Sequence, residues 1–546
     1  MRSILPILVI FVIAGFLRFY QLGQNPPSLT WDEASWGYNA YSLLRTGKDE
    51  FGRFLPLDYL ESFGDFKPPV YAYLTILPVA FFGLNEFATR FASAFFGTLT
   101  VLVTYHLVKR IFISSDSRER YALVSALFLA LSPWHINLSR AAFEANVATF
   151  FLIAGIWLFL VGVQKNRWIL LLSITSFVGS VYTFNTTRII APLLFLLLVI
   201  SFRKNIFREM KVPIAGLFVG IALLLPTLPF LLSPQARLRF QEVNIFSDSG
   251  PVVTANQQIA RNDNALWSKI LQNRRIFYAR EYIKHYFDNL SPSFLFIRGD
   301  GNPKFSTQHV GQLFLFDLPF LVLGILFLFR RREGNWYLLP LWFILGILPA
   351  GTARETPHAL RIETVLPVPQ IVIAYGLVQI ASIASRLRYM KQAYIKVSVA
   401  LALIVFLFLN VSYYLHDYYT HYPRTFSREW QYGYADAFSY IQVNESLYDR
   451  IYFTTDLGRP YIYYIFSSKL DPSQFQKTAS IKRDSFGFVN VERVGKYYFQ
   501  PNLPGSDASM GKVLFVNSPA KVPKYASVVK TFSLLNGEPS LVAYTL

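Results

Sequence analysis

Apolar runs alternate with short polar segments along most of this chain, at about 4–20, 68–84, 88–108, 121–136, 143–163, 168–184, 188–202, 212–232, 310–329, 336–350, 360–383 and 394–415. Runs of this length predict helices matched to a bilayer core roughly 30 Å thick. After 415 the pattern changes. Residues 416–546 predict a small α/β domain, with a helix over about 430–445 and strands at Arg450-Ile-Tyr-Phe-Thr, Phe488-Val-Asn-Val, Lys512-Val-Leu-Phe-Val and Leu541-Val-Ala-Tyr. Two polar stretches interrupt the apolar part, at 21–69 and 233–309. The second predicts a helix over about 265–287, with aromatic residues among basic ones, and then the turn-rich Arg298-Gly-Asp-Gly-Asn-Pro. A loop this long is usually functional, and its helix is expected either to lie at the membrane interface over a lipid or acceptor cleft or to belong to an ordered surface loop.

Composition sharpens the class. With 53% of 546 residues hydrophobic and only 16% charged, the chain carries too much apolar surface for a soluble globule, so residues 1–415 are expected to form a polytopic membrane domain. The net charge of +19 would suit nucleic acid, but many Lys and Arg residues of 1–415 sit in short segments between apolar runs, where they act as topology signals and contacts to anionic lipid. The absence of cysteine excludes disulfides and thiolate chemistry.

Orientation follows from those basic segments. The clusters Lys109/Arg110/Arg118/Arg120, Lys165/Arg167, Arg203/Lys204/Arg208/Lys211, Arg330/Arg331/Arg332 and Arg386/Arg388/Lys391 share the cytoplasmic face only if 68–84 does not cross. Its short length and Pro68, Pro69 and Pro78 fit a juxtamembrane or re-entrant element. No small-residue cleavage site follows the run at 4–20, which is expected to be a retained first span. The expectation is a plasma-membrane protein of about eleven spans, with a cytoplasmic N-terminus and an extracytoplasmic C-terminal domain. Both 21–69 and 233–309 then become extracytoplasmic loops.

This arrangement gathers the unusual polar residues on one face. Asp32 and Glu33 head a helix expected from about 34 to 44. Capping needs only one acidic residue. Two at a membrane surface also suit a general base, poised between apolar surroundings that disfavour its charge and cations that favour it. Lys67, before two prolines, either snorkels or pairs with a substrate phosphate. Arg361, with His358 beside it, could hold a phosphate by its planar fork. Arg140 and Glu144 are four apart, the spacing of a helical ion pair. Glu144 could instead orient an acceptor or complete a divalent-cation site with Asp32, although no dense ligand cluster requires a metal. Tyr71, His135 and Arg188 are further candidates for substrate contacts, against interfacial anchoring.

Trp31-Asp32-Glu33-Ala34, Asp65-Phe66-Lys67-Pro68-Pro69-Val70-Tyr71, Asn85-Glu86-Phe87-Ala88-Thr89-Arg90-Phe91-Ala92-Ser93 and Ser132-Pro133-Trp134 with Ser139-Arg140 together resemble the polytopic GT-C glycosyltransferases. The closer resemblance is to the dolichyl-phosphate-mannose protein mannosyltransferase and aminoarabinose lipid A transferase group, over roughly residues 1–410. It implies that Asp32 acts on the acceptor hydroxyl and that Lys67 faces the donor phosphate. It also implies a sugar taken from a polyprenyl phosphate, with inversion, and passed to a lipid, glycan or protein. The C-terminal residues add no motif that narrows the acceptor. A transporter or flippase for lipid-linked saccharides, or a non-catalytic envelope assembly protein, is the alternative. Charges gathered at the ends of the runs rather than within them disfavour the transporter.

Overall fold

The computed structural model describes residues 4–234, 236, 244–387, 392–483, 489–505 and 511–546. Met1-Arg-Ser, Arg388 and Lys391 of the last basic cluster, and Phe488 of an expected strand lie outside the described residues. Each apolar run coincides with a helix: α1 (Leu5–Phe19), α2 (Trp31–Thr46, the polar exception), α3 (Val70–Phe82), α4 (Glu86–Ile111), α5 (Arg118–Leu131), α6 (Pro133–Arg140), α7 (Glu144–Gln164), α8 (Ile169–Val181), α9 (Thr187–Ser201), α10 (Arg203–Ile206) and α11 (Lys211–Leu224), then helices Asp317–Arg331, Leu338–Ile347, Val368–Ala384 and Ala393–His416. Among the described residues, 5 helices are long and apolar enough to cross a membrane: Glu86–Ile111, Glu144–Gln164, Lys211–Leu231, Glu363–Ala384 and Ala393–Phe426. The expected span at 121–136 is instead a pair, α5 and α6, bent by 55°. Pro133, which has no amide hydrogen to continue α5, sits at the break. The 13 residues of α3 rise only about 20 Å, short of a bilayer core. Length alone does not single it out, since α8 also has 13 residues.

The chain divides into two compact units. One comprises Met1–Arg18, Phe96–Ser139 and Glu144–Tyr414; the other comprises Phe19–Phe95, Arg140–Phe143 and Leu415–Leu546. The first is a helical body with one large apolar core drawn from α1, α4, α5, α7, α8, α9 and the helices around 338–378. Close backbone approach tightens it at Gly324 and Gly376, where a Cβ would stand 2.1 Å from the carbonyl oxygens of Val372 and Phe320. In the expected long loop, the single helix over 265–287 is two, Leu266–Leu271 and Arg274–Asp288. Asn273 between them caps the second, its side chain accepting from the Arg275 amide.

The second unit joins the first loop to the C-terminal residues. Residues 416–546 share one buried cluster with the first loop, where Leu29, Ala34, Tyr38, Phe63, Val79 and Ala88 pack with Phe438, Phe453, Ile462 and Leu514, and hold a smaller one of their own around Tyr452, Val513, Phe515 and Tyr544. A short hairpin, β1 (Leu60–Ser62) and β2 (Asp65–Lys67), lies in the first-loop part. The C-terminal part holds β3 (Arg450–Thr454), β4 (Ala479–Arg483), β5 (Val489–Val494), β6 (Tyr497–Gln500), β7 (Val513–Asn517), β8 (Ser527–Ser533) and β9 (Pro539–Thr545) in one mixed sheet, ordered β4-β5-β6-β3-β7-β9-β8. Central β3 runs parallel to β6 and β7. The expected helix appears at Tyr434–Val443.

Candidate functional site

The first loop is held by one arginine. Arg90, fully buried in the first turns of α4, donates to the carbonyl oxygens of Leu22, Pro26 and Ser28 and, through Nε, to Glu33 Oε1 at 2.8 Å. Glu33 is itself fully buried. It closes a capping box with Thr30 at the start of α2 and also accepts from the Ala142 amide at 2.9 Å. The two adjacent carboxylates therefore divide. Glu33 is committed to the cap and to Arg90, whereas the Asp32 side chain is 51% exposed and bonded to Lys67 Nζ.

Lys67 ends β2, and its register opposite Leu60 is fixed by the hairpin. Its side chain is only 8% exposed, and its ammonium lies 5.2 Å from the Trp36 ring centre and 5.7 Å from that of Phe63. The aromatic faces shelter the cation while leaving its charge for an anion. Beneath it lies a carboxyl that sequence reasoning missed. Glu50 is fully buried. Burial, and then the Asp49 charge, push Glu50 well above the ordinary carboxylate range, while Lys67 works in the opposite direction. Only its place just after an amphipathic helix could have flagged it.

Two other candidates in this unit are occupied by the fold. The hydroxyl of fully buried Tyr71 donates to Thr89 O at 2.9 Å. Arg140, also fully buried, donates to Asn25 O at 2.8 Å and to the Tyr418 hydroxyl at 3.2 Å. The helical pair expected from Arg140 and Glu144 has no helix to sit on, since α6 ends at the first and α7 starts at the second.

The helical unit holds the remaining candidates. His135 is fully buried and receives a 2.6 Å hydrogen bond from the Arg18 guanidinium, which also donates to Ala14, Leu129 and Ala130 carbonyls. Arg188 at the start of α9 is half-buried, with its guanidinium 5.3 Å from the Phe230 ring centre. Glu144 opens α7, and its charge acts on Glu363, a fully buried residue neither of whose carboxylate oxygens makes a hydrogen bond.

Around His358 the turn-rich segment finds its use. Asp300 accepts from the Ala359 amide at 2.6 Å and from the Asn302 amide at 2.8 Å, and so fastens the Pro357-His358-Ala359 stretch. Burial raises the Asp300 carboxyl to about 6 and lowers His358 to about 3, with the Arg361 charge a second cause for the histidine. At neutral pH His358 thus brings no positive charge to a phosphate, and its 3.9 Å approach to Asp300 is not an ion pair. Arg361 is half-buried and donates to Glu355 O at 3.3 Å. Among the described residues, no group of three or more His, Cys, Asp or Glu side chains is placed to hold a metal ion.

A family model for dolichyl-phosphate-mannose-protein mannosyltransferase matches residues 66–230, which include Lys67, Arg90, Arg140 and Glu144. The chain resembles the GT-C glycosyltransferases. In fold it is similar to ArnT from Cupriavidus metallidurans bound to undecaprenyl phosphate, with a TM-score of 0.50, 15% identity and coverage of 99% of this chain and 98% of that one. It is similar also to the Archaeoglobus fulgidus oligosaccharyltransferase tethered with an acceptor peptide, with a TM-score of 0.50, 14% identity and coverage of 85% of this chain and 62% of that one. At these identities the likeness is one of fold. An uncharacterized protein of Aquifex aeolicus is 31% identical over 151 residues, and this stretch spans only 28% of either chain. The helices long and apolar enough to cross a membrane mark the chain as a membrane protein.

Proposed function

We propose that this chain is a membrane glycosyltransferase that moves a sugar from a polyprenyl-phosphate donor to a hydroxyl acceptor, with inversion, at the extracytoplasmic face. The pairing of exposed Asp32 with sheltered Lys67 carries the reading. A neighbouring cation favours the ionised carboxylate, the form that accepts a proton from the attacking hydroxyl. When a donor phosphate arrives, the ammonium can exchange one anion for the other, which frees a carboxylate oxygen for the acceptor. Stabilising the charge that develops on the departing phosphate is expected to be the larger contribution, with proton abstraction adding about 10²–10⁴-fold. Glu33 and Arg90 act as positioning residues that fix the start of α2.

The test is an assay of the purified full chain with a panel of polyprenyl-phosphate sugars and hydroxyl acceptors, reading released polyprenyl phosphate and the anomeric configuration of any product. Turnover with inverted product is expected for at least one pair. Lipids that bind without transfer or donor hydrolysis would count against the reading.

A further inference from the structure

Within the helical unit, α8, α9 and α11 enclose an apolar groove of about 560 Å³, lined by side chains such as Phe177, Phe195, Leu217 and Ile221 together with Gly216 and Gly220. Its volume lies in the range of ligand sites, roughly 300–1,000 Å³. Leu217 and Ile221 are exposed, so the groove opens outward. From 213 to 224, α11 follows it for about 17 Å. The glycines make the room: a Cβ on Gly216 would stand 2.6 Å from Ile174 Cδ1, so α11 approaches α8 without side-chain bulk there.

The groove has one charged end. Ile206, Phe207, Met210 and Val212 line it there, and Arg203, Lys204, Arg208 and Lys211 are interleaved with them, all exposed. The single acid in that stretch, Glu209, pairs with Arg167 at 3.3 Å. One short segment therefore supplies both the apolar wall and an excess of positive charge at its mouth. Topology signalling alone would account for the cations but not for the groove beside them.

We propose that this is a binding site for an anionic glycerophospholipid, with an acyl chain in the groove and the phosphate head group on the cations of 203–211. Charge complementarity selects the occupant, since a zwitterionic lipid could fill the groove but would gain little from the mouth. The proposal does not depend on the glycosyltransferase reading, because its readout is lipid binding.

Native mass spectrometry of the detergent-solubilised full chain, titrated with dioleoyl phosphatidylglycerol or dioleoyl phosphatidylcholine, tests it. One phosphatidylglycerol should bind about tenfold or more tightly than phosphatidylcholine. The exposed-residue variant R203Q/K204Q/R208Q/K211Q should abolish that preference. Gly220→Leu, at a position where a Cβ meets nothing nearer than 3.5 Å, should project into the groove and weaken phosphatidylglycerol binding severalfold while leaving the cations in place. Equal binding of the two lipids, a preference that survives the four substitutions, or displacement of the bound phosphatidylglycerol by one equivalent of undecaprenyl phosphate would overturn the assignment, the last by giving the groove to a polyprenyl chain.

Discussion

The first loop and the segment around His358 both bury acidic groups beside basic ones, yet they settle their charges in opposite ways. In the first loop each acid at the start of α2 has a cation, Glu33 with Arg90 and Asp32 with Lys67. Around His358 the acid is met by backbone amides of Asn302 and Ala359, and the imidazole beside it is held neutral. A carboxylate facing a guanidinium or an ammonium stays ionised, while one facing amides in a dry setting is driven toward its protonated form. Acidic and basic residues close together thus make ion pairs in one region and, in the other, an amide-held carboxyl beside an uncharged imidazole.

The largest expected effect tests the charged half of that contrast. Asp32→Asn keeps the size of the side chain but removes the proton-accepting charge, so turnover at saturating donor and acceptor should fall about 10²–10⁴-fold with donor affinity retained. Unchanged turnover would remove Asp32 from the chemistry. Arg90→Met should act on folding instead. Glu33, with no exposure, would be left as a buried anion without its cation, at a cost of about 3–5 kcal/mol. A shift in the unfolding midpoint no larger than that of a surface substitution would show that the clamp is not needed. Lys67→Met should raise the donor KM about tenfold or more, since charge-assisted hydrogen bonds contribute about 1.5–3 kcal/mol. An unaltered donor KM would assign Lys67 to Asp32 alone.

What could be read from the sequence follows the same division between local and distant. β3, β7 and β9 are largely apolar and buried, and their runs were legible. β4 and β8, the two edges of the sheet, are mostly exposed polar residues and carry no such signal. The bend at Pro133 is also local, but its proline fell inside an otherwise apolar run and was outweighed by it. In the first loop, motifs singled out Asp32 and Lys67 separately but did not announce that they pair. The Glu33–Arg90 pair was not legible either, because 57 positions separate its members; a lone arginine in the first turns of an apolar helix is the signal that could have marked it. No local pattern announces that Asp300 reaches the Ala359 amide 59 positions along the chain and so fastens the residues around His358.

The smallest expected effect sharpens the amide-held half of the comparison. Asp300, raised to about 6 in the folded chain from an ordinary value of 3.8, holds its proton more tightly when folded than when unfolded. Its contribution to stability is therefore fully present below about pH 4 and lost as pH rises through about 6. His358, lowered to about 3 from 6.5, has the opposite sign: its contribution is present above about 6.5 and lost as pH falls toward 3. In the wild-type chain the two oppose each other between about pH 4 and 6, so its own profile is uninformative and the variants must separate them. Asp300→Asn retains an oxygen to accept from the Ala359 amide but does not titrate. Its stability relative to wild type should be highest at pH 7 and decline on acidification to pH 4, by an amount on the order of 2 kcal/mol. His358→Gln should show the reverse trend over the same window. Unfolding midpoints of the three proteins in one detergent, measured from pH 4 to 7, decide the matter: parallel curves would mean that Asp300 is as well solvated as an ordinary surface carboxylate.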